Sequence, residues 1–301
     1  MQSGAPSRTA EYMALFRALE STRARKRRLV EDRAAIRFLR PRLRAVAWAA
    51  RLAPVRLAIV AFIDRRWPGP RLSGVVRTRV IDDLIEAALG AGCTQLVLLG
   101  AGYDTRALRL AAAASAQVFE VDHPATQERK RRALGAAGGR SRYVPVDFER
   151  DALAPALVAA GLERGERSCV LWEGVFSYLT AEAIDGTLAA LGELCARGSI
   201  VILTYVDRRV LEAPSADSRR WLAAVGDVDE PFLTGLDPAQ APAFFAARGL
   251  LVREDQSTTE AARRLGQRDA ETIPPFYRLA LLELGDAPAP AAQPKNSSAV
   301  S

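Results

Sequence analysis

Between Thr94 and Asp207, short apolar runs of strand length alternate with longer stretches of helical periodicity, and this rhythm leaves few folds open. The runs are TQLVLLG (94–100), QVFEVD (117–122), RYVPVD (142–147), SCVLWEG (168–174) and SIVILTYVD (199–207). Between them lie DTRALRLAAAA, PATQERKRRALGAA, ALAPALVAAGL and TAEAIDGTLAALGELCARG. Strands separated by helices pair in parallel, because each crossover helix returns the chain to the same end of the sheet. The runs are almost continuously apolar, as a sheet covered on both faces requires. Two more strands, LLVREDQS (250–257) and FYRLALLEL (276–284), complete the pattern. The expected fold is therefore an α/β, doubly wound, mainly parallel sheet of seven strands.

The flanks behave differently. From Arg8 to Val60 the apolar residues recur at helical spacing, as in Tyr12, Leu15, Phe16 and Leu19 or Ile36, Phe38, Leu39 and Leu43. WPGPRLSG (67–74) interrupts this region, and a further helix is predicted over Val75–Leu89, ended by Gly-Ala-Gly at 90–92. Residues 1–74 are thus expected to form an N-terminal helical cap and 75–285 the main domain. After the fifth strand the rhythm stops between about 208 and 249, too long for a simple connection, and an insertion or lid is expected there. Its Trp221, Phe232, Phe244 and Phe245 would wall a pocket or pack as core. The tail 286–301, small, polar and rich in proline, is expected to be disordered.

Bulk composition excludes several classes. No apolar run is long enough to span a bilayer and no secretory leader stands at the N-terminus, so a cytoplasmic protein with no membrane partner is expected. Cys93, Cys169 and Cys195 show no metal-ligand spacing and read as buried small hydrophobes, and no metal is expected. His123 is the only histidine in 301 residues, which restricts histidine-based catalysis; standing before Pro124, it reads as a surface residue at a helix start. Residues 1–80 hold nineteen Lys and Arg against five Asp and Glu, although the whole chain carries only +7. Such a segment suits an anionic ligand, an acidic partner or nucleic acid, or is simply a set of solvated helix faces.

Ligands of open parallel sheets sit beyond the carboxyl ends of the strands, where the strand order reverses. Gly100 and Gly102 follow the first strand, and glycine there permits positive φ and close approach of a ligand to the backbone. Thr105 stands where a dinucleotide fingerprint wants its third glycine, which counts against a nicotinamide oxidoreductase. Asp104 puts a negative charge at a helix start, where a pyrophosphate would be repelled and a cationic group welcomed. Asp122 ends the second strand, twenty residues after Gly102, where a carboxylate accepts from both hydroxyls of a ribose. Asp147 and Phe148 follow the third strand, placed for an adenine amine and its ring; Glu173 follows the fourth. Taken singly, each acid could equally be a helix cap; their recurrence at successive strand ends points to one crevice for a ribose, an adenine amine and an ammonium.

GAGYDTRALRL, VFEVDHPATQERKRRAL, VPVDFE and LWEGVFSYLTAEAID together resemble the S-adenosylmethionine-dependent methyltransferases of the leucine carboxyl methyltransferase-like group, nearest its actinobacterial branch. SRTAEYMALFRALES and VVRTRVIDDLI resemble that branch too. The resemblance implies a Rossmann-like class I methyltransferase that takes S-adenosyl-L-methionine and releases S-adenosyl-L-homocysteine. By position it implies that Arg77, with Arg79 as a second candidate, binds the methionyl carboxylate, and that Gly100 and Gly102 line the methionine. Asp122 would hold the ribose, Asp147 and Phe148 the adenine, and Glu173 the amino-acid portion near the reaction centre. VFSYL departs from the LLMYL commoner among relatives.

Methyl transfer from a sulfonium needs alignment above all. An ionised carboxylate acceptor needs no base, which suits a chain with one histidine. An alcohol or phenol would call on Glu173, Tyr178 or Tyr205, poorer bases for the task. An anionic small-molecule or peptide substrate also needs a cation, for which Arg208 and Arg209, or the N-terminal arginines, are the candidates, with Trp221 as an apolar wall. O-methylation of a carboxylate is the leading expectation. The alternatives are a nucleic-acid methyltransferase using the basic N-terminal region, which lacks a recognisable binding module and aromatic interleaving, and a non-catalytic cofactor-binding relative.

Overall fold

A computed structural model describes residues 8–215, 218–219 and 232–285; the expectations for Trp221 and for the tail 286–301 fall outside them. Seven strands form one sheet: β1 (Gln95–Leu99), β2 (Gln117–Asp122), β3 (Arg142–Pro145), β4 (Ser168–Trp172), β5 (Ile200–Val206), β6 (Leu250–Ser257) and β7 (Tyr277–Leu284). Their order is β3-β2-β1-β4-β5-β7-β6. The first five are parallel, and β7 runs antiparallel between β5 and β6. The order reverses between β1 and β4, so the crevice of an open α/β sheet opens at the carboxyl ends of these two strands.

Alternate side chains of the buried strands feed two cores. Val97, Leu99, Phe119, Val121, Val170 and Trp172 lie on one face, covered by α7 (Leu153–Ala159) and α8 (Ala181–Leu194). Leu96, Leu98, Cys169 and Leu171 lie on the other, against α4 (Pro70–Gly90). A third core joins the N-terminal elements: α1 (Arg8–Ser21), a 3-10 turn at Ala35–Phe38, α2 (Pro41–Ala49) and α3 (Ala53–Arg66).

Helix α4 begins earlier than its apolar spacing suggests, because Gly69 takes φ +99° and Pro70 enters at the first helical position. It therefore crosses the boundary expected at residue 74. Close packing at Gly74, where an added Cβ would meet the Met13 sulfur at 3.0 Å, brings α1 onto it. DTRALRLAAAA also differs from expectation. Only Arg106–Arg109 is α-helical (α5), Leu110 turns extended and buries its side chain, and Ala111–Ser115 continues as 3-10 helix. Of the region expected as a lid, α9 (Arg208–Glu212) follows β5, and residues 232–249 are fastened to the sheet. The Leu233 and Thr234 N–H groups donate to the Ser177 carbonyl at 2.7 and 3.0 Å, and Phe245, in the short helix Ala241–Ala246, is completely buried. Phe244 packs beside it, so both phenylalanines are core rather than pocket wall.

Helix α6 (Pro124–Leu134) is held to the sheet by a buried ion pair. Lys130 Nζ lies 2.7 Å from Glu120 Oε2, with the two side chains 2% and 3% exposed. Ser141 Oγ donates to the other Glu120 oxygen at 2.9 Å, and Gln127 bridges the Glu120 and Val144 carbonyls. This clamp fixes the turn that carries Asp122. Lys130→Met leaves Glu120 buried and unpaired and should cost about 3–5 kcal/mol in urea unfolding, whereas the double replacement Lys130→Met, Glu120→Gln should recover a large part of that loss. A cost below about 1 kcal/mol for the single variant would show that the pair does not anchor α6.

Candidate functional site

Strand register puts the predicted groups on one level. Leu99 pairs with Val121 of β2 and with Trp172 of β4, so the residues that follow, Gly100, Asp122 and Glu173, stand side by side at the strand tips. Asp147 lies two residues beyond Pro145, the partner of Asp122. Gly100 and Gly102 both have positive φ, +65° and +42°. Their bareness has two separate causes. A Cβ on Gly100 would stand 2.1 Å from Val175 Cγ2, so what lies against this glycine is the protein's own valine. At Gly102 a Cβ would make only ordinary contacts, 3.8 Å from Ala10 Cβ and the Gly100 carbonyl, so there the positive φ is what favours glycine.

Asp122 is fixed from below. Its Oδ2 accepts the Gly102 N–H and its Oδ1 accepts the His123 N–H at 2.6 Å. Burial raises its carboxyl above the usual range, and the two backbone donors only partly offset this. No cation among the described residues lies within ion-pair distance of it, unlike the other acids at the strand tips. Each carboxylate oxygen keeps a lone pair for a further donor. His123 is occupied in capping α6, its Nδ1 accepting from the Ala125 N–H at 3.2 Å.

Glu173 has the opposite environment. Arg77, from α4, donates through Nε to Oε1 at 2.7 Å, and Arg106 donates through Nη1 to Oε2 at 2.9 Å. Burial would push this carboxyl up, but Arg106 and then Arg77 outweigh it and hold the group ionised below the ordinary glutamate range. Arg106 also binds Asp104 and, at 2.8 Å, Asp82, which Arg109 grips from the other side. Asp104 is thus the counter-ion of Arg106, whose guanidinium overcomes its burial and depresses its pKa. One buried Arg106 nitrogen, Nη2, has no acceptor. The Arg77 guanidinium sits 4.6 Å over the Tyr277 ring and touches Met13 Sδ at 3.4 Å.

The remaining candidates are placed as follows. Arg79 points outward on α4, exposed, and pairs with Asp83 at 2.9 Å, so it does not join Arg77. Asp147 accepts the Glu149 N–H at 3.1 Å in a local turn, with Arg150 at 3.8 Å, and Phe148 packs on the core beside it. Tyr205 is buried and donates to Asp255 at 2.6 Å; burial and this bond push its pKa far up. Tyr178 packs against Phe232, with ring centroids 5.1 Å apart. Arg208 and Arg209 are exposed beyond β5, Arg209 clasping Asp207 at 2.6 Å.

Sequence reasoning missed Arg106, Asp82, Arg17 and Asp32. Arg17 donates to the Tyr103 carbonyl at 2.7 Å and to Asp32 at 2.8 Å, tying α1 to the glycine loop; Asp32 also accepts from Thr105 at 2.7 Å. The available signal was the pair Arg106 and Arg109, one helical turn apart directly after the glycine turn. Their partners lie too far away in sequence for spacing to show.

Comparison with known proteins gives the chain its family and its fold. The sequence profile of the leucine carboxyl methyltransferase family matches residues 10–192. A Streptomyces coelicolor protein with the provisional name S-adenosyl-L-methionine-dependent methyltransferase is 36% identical over 239 residues, 75% of this chain and 81% of its own. A Frankia alni protein of the same provisional name is 36% identical over 222 residues, 72% and 74% of the two chains. Among solved structures, a provisionally named methyltransferase from Thermobifida fusca superposes with a TM-score of 0.59 at 15% identity, covering 95% of this chain and 97% of its own. A DUF574 family protein from Streptomyces avermitilis gives 0.56 at 20% identity, covering 76% and 90%. At these identities the structural likeness is one of fold, the Rossmann-like class I methyltransferase fold.

The depressed carboxylates give an acid-stability prediction. Asp104, Glu173 and Asp32 ionise more readily folded than unfolded. Their contribution is complete above the unfolded pKa of about 4 and is lost as pH falls through the lower folded values. Arg106→Gln removes the cation shared by Asp104 and Glu173, so acid unfolding followed by circular dichroism should begin at higher pH, with a loss of about 3–5 kcal/mol at pH 7. An unchanged acid midpoint would show that Arg106 does not hold these acids ionised.

Proposed function

Because the chain belongs to the leucine carboxyl methyltransferase family, we propose that it binds S-adenosylmethionine in the crevice between β1 and β4 and methylates a carboxylate oxygen of a small molecule or peptide. The carrying observation is Asp122. It is a half-buried carboxylate with no cation within ion-pair distance among the described residues, held by the N–H groups of Gly102 and His123. Such an acceptor suits the neutral hydroxyl donors of a ribose, because hydrogen bonds satisfy it without an ion pair.

The other residues fit the same ligand. Arg77 is already oriented by Glu173 and the Tyr277 ring, and would offer its remaining N–H groups to the methionyl carboxylate. The unpartnered Arg106 Nη2 is a second buried donor in that corner. Asp147 and Phe148 would meet the adenine. Asp104 is committed to Arg106, so an ammonium would share an already neutralised acid rather than find a bare one. When bound, the cofactor supplies an electrophilic methyl group on a sulfonium.

The choice of a carboxylate acceptor follows from what the neighbouring side chains cannot do. Glu173 is held ionised by two guanidiniums and gains little from taking up a proton. The Tyr205 hydroxyl is spent on Asp255, and the His123 Nδ1 on the start of α6. An acceptor that arrives ionised needs none of them, and its placement then carries the catalysis. Arg208, 3.4 Å from Glu212, and Arg209, held by Asp207, stand at the tip of β5 and would share their acids with such an anion to position it.

Two measurements test this reading. S-adenosylmethionine and S-adenosylhomocysteine should each raise the melting temperature, and Asp122→Ala should fold but lose most of the shift; a variant that keeps the full shift would overturn the ribose assignment. With methyl-labelled donor, the product should release volatile methanol on mild base treatment, as a methyl ester does. Label that stays non-volatile would place the methyl on another atom class.

A further inference from the structure

Helix α3, APVRLAIVAFIDRR, carries apolar residues on its outward as well as its inward side, its charges being Arg56 and the C-terminal Asp64, Arg65 and Arg66, yet Ile63 is its one buried side chain. Leu57 and Phe62 are 65% and 66% exposed, as are Leu52 in the preceding link (65%) and Trp48 on α2 (63%). Pro54, Ala58 and Ala61 share the outward arc of α3, whose charges, Arg65 and Arg66, stand at its C-terminal end. Trp67 closes the far end, its ring edge-on to Phe62 at 6.5 Å with the Arg66 guanidinium 5.1 Å above it. Five large apolar side chains left exposed in one segment, residues 48–67, are more than the scattered surface hydrophobes of an ordinary monomer and mark a docking surface.

Its chemistry identifies the partner. Residues 41–67 contain six arginines and one acid, Asp64, which is bonded to Arg71. Arg42, Arg51, Arg65 and Arg66 have no carboxylate within ion-pair distance among the described residues. A second copy would bring like charges together. The segment also contains no Ser, Thr, Asn, Gln, Lys or Glu. The hydroxyl and amide side chains that would accept hydrogen bonds from a partner are missing, and the donors that remain are guanidiniums, which call for an anionic surface. Aromatic and aliphatic side chains fringed by arginine are instead the composition of a helix lying in a lipid–water boundary.

We infer that the α2–α3 hairpin docks on the surface of an anionic phospholipid bilayer. Leu57, Phe62 and Trp48 enter the boundary of the acyl chains, and the unpaired arginines bind headgroup phosphates. No helix among the described residues is long and apolar enough to cross a membrane. Lying on a bilayer needs no such helix, and this is where the inference departs from the expectation of no membrane partner.

The test is co-sedimentation of the full chain with vesicles of phosphatidylcholine containing phosphatidylglycerol, against phosphatidylcholine alone. Binding is expected on the anionic vesicles, weaker on the neutral ones and reduced by high salt. Leu57→Ser with Phe62→Ser should lower partitioning roughly tenfold or more while leaving the melting temperature near that of the parent, because both residues are exposed. Arg51→Gln with Arg65→Gln should weaken binding and flatten its salt dependence. A parent chain that stays in solution with anionic vesicles, whether as a monomer, as a dimer or in complex with an acidic protein, overturns the proposal. So does binding that both double variants retain in full.

Discussion

Two guanidiniums converge on Glu173 at the point where the strand order reverses, and the rest of the site depends on that contact. Arg77 comes from the helix before the sheet, Arg106 from the turn after β1, and Glu173 from the tip of β4. Three distant parts of the chain therefore meet at one carboxylate. Beyond it the network continues through Asp104 and Asp82 to Arg109. Three cations face three anions, so the buried charge is balanced, as burial at this depth demands.

Balance in that network gives Asp122 its distinct character. Were it also paired with an arginine, its oxygens would be saturated and a neutral ligand would find no acceptor. Instead, backbone donors hold it in place and leave lone pairs free. Free acceptor capacity is thus left on one acid while its neighbours are neutralised, and the Lys130–Glu120 clamp holds the turn that carries it.

The helical cap is joined to this site rather than merely set beside it. Helix α4 contributes Leu72 and Val76 to the core and Arg77 to the crevice, and α1 reaches the glycine loop through Arg17. On its far side the same cap turns apolar residues and unpaired arginines to solvent. One small unit therefore has an inner surface that completes the site and an outer one suited to a lipid interface, and the strong positive charge of the first eighty residues is divided between them. Arg17, Arg71 and Arg77 are spent on carboxylates inside.

By itself, the sequence determined the sheet and the level at which its acids stand. Apolar runs of strand length separated by helical periodicity permit few alternatives, and a residue that ends a parallel strand must lie at the carboxyl edge; Asp122, Asp147 and Glu173 were legible for that reason. Which acids are already neutralised was not legible, because the partners of Glu173 and Asp104 are set by folding across many residues, not by local spacing. The same holds for Gly100, whose missing side chain makes room for Val175, seventy-five residues on, and for Arg79, whose helical phase sends it to solvent while Arg77 turns inward. Phe244 and Phe245 looked able to line a pocket, yet only packing against the sheet decided that they are core. Local pattern records what each segment would bury, whereas charge pairing and exposure depend on which segments meet, and the tertiary structure alone sets that.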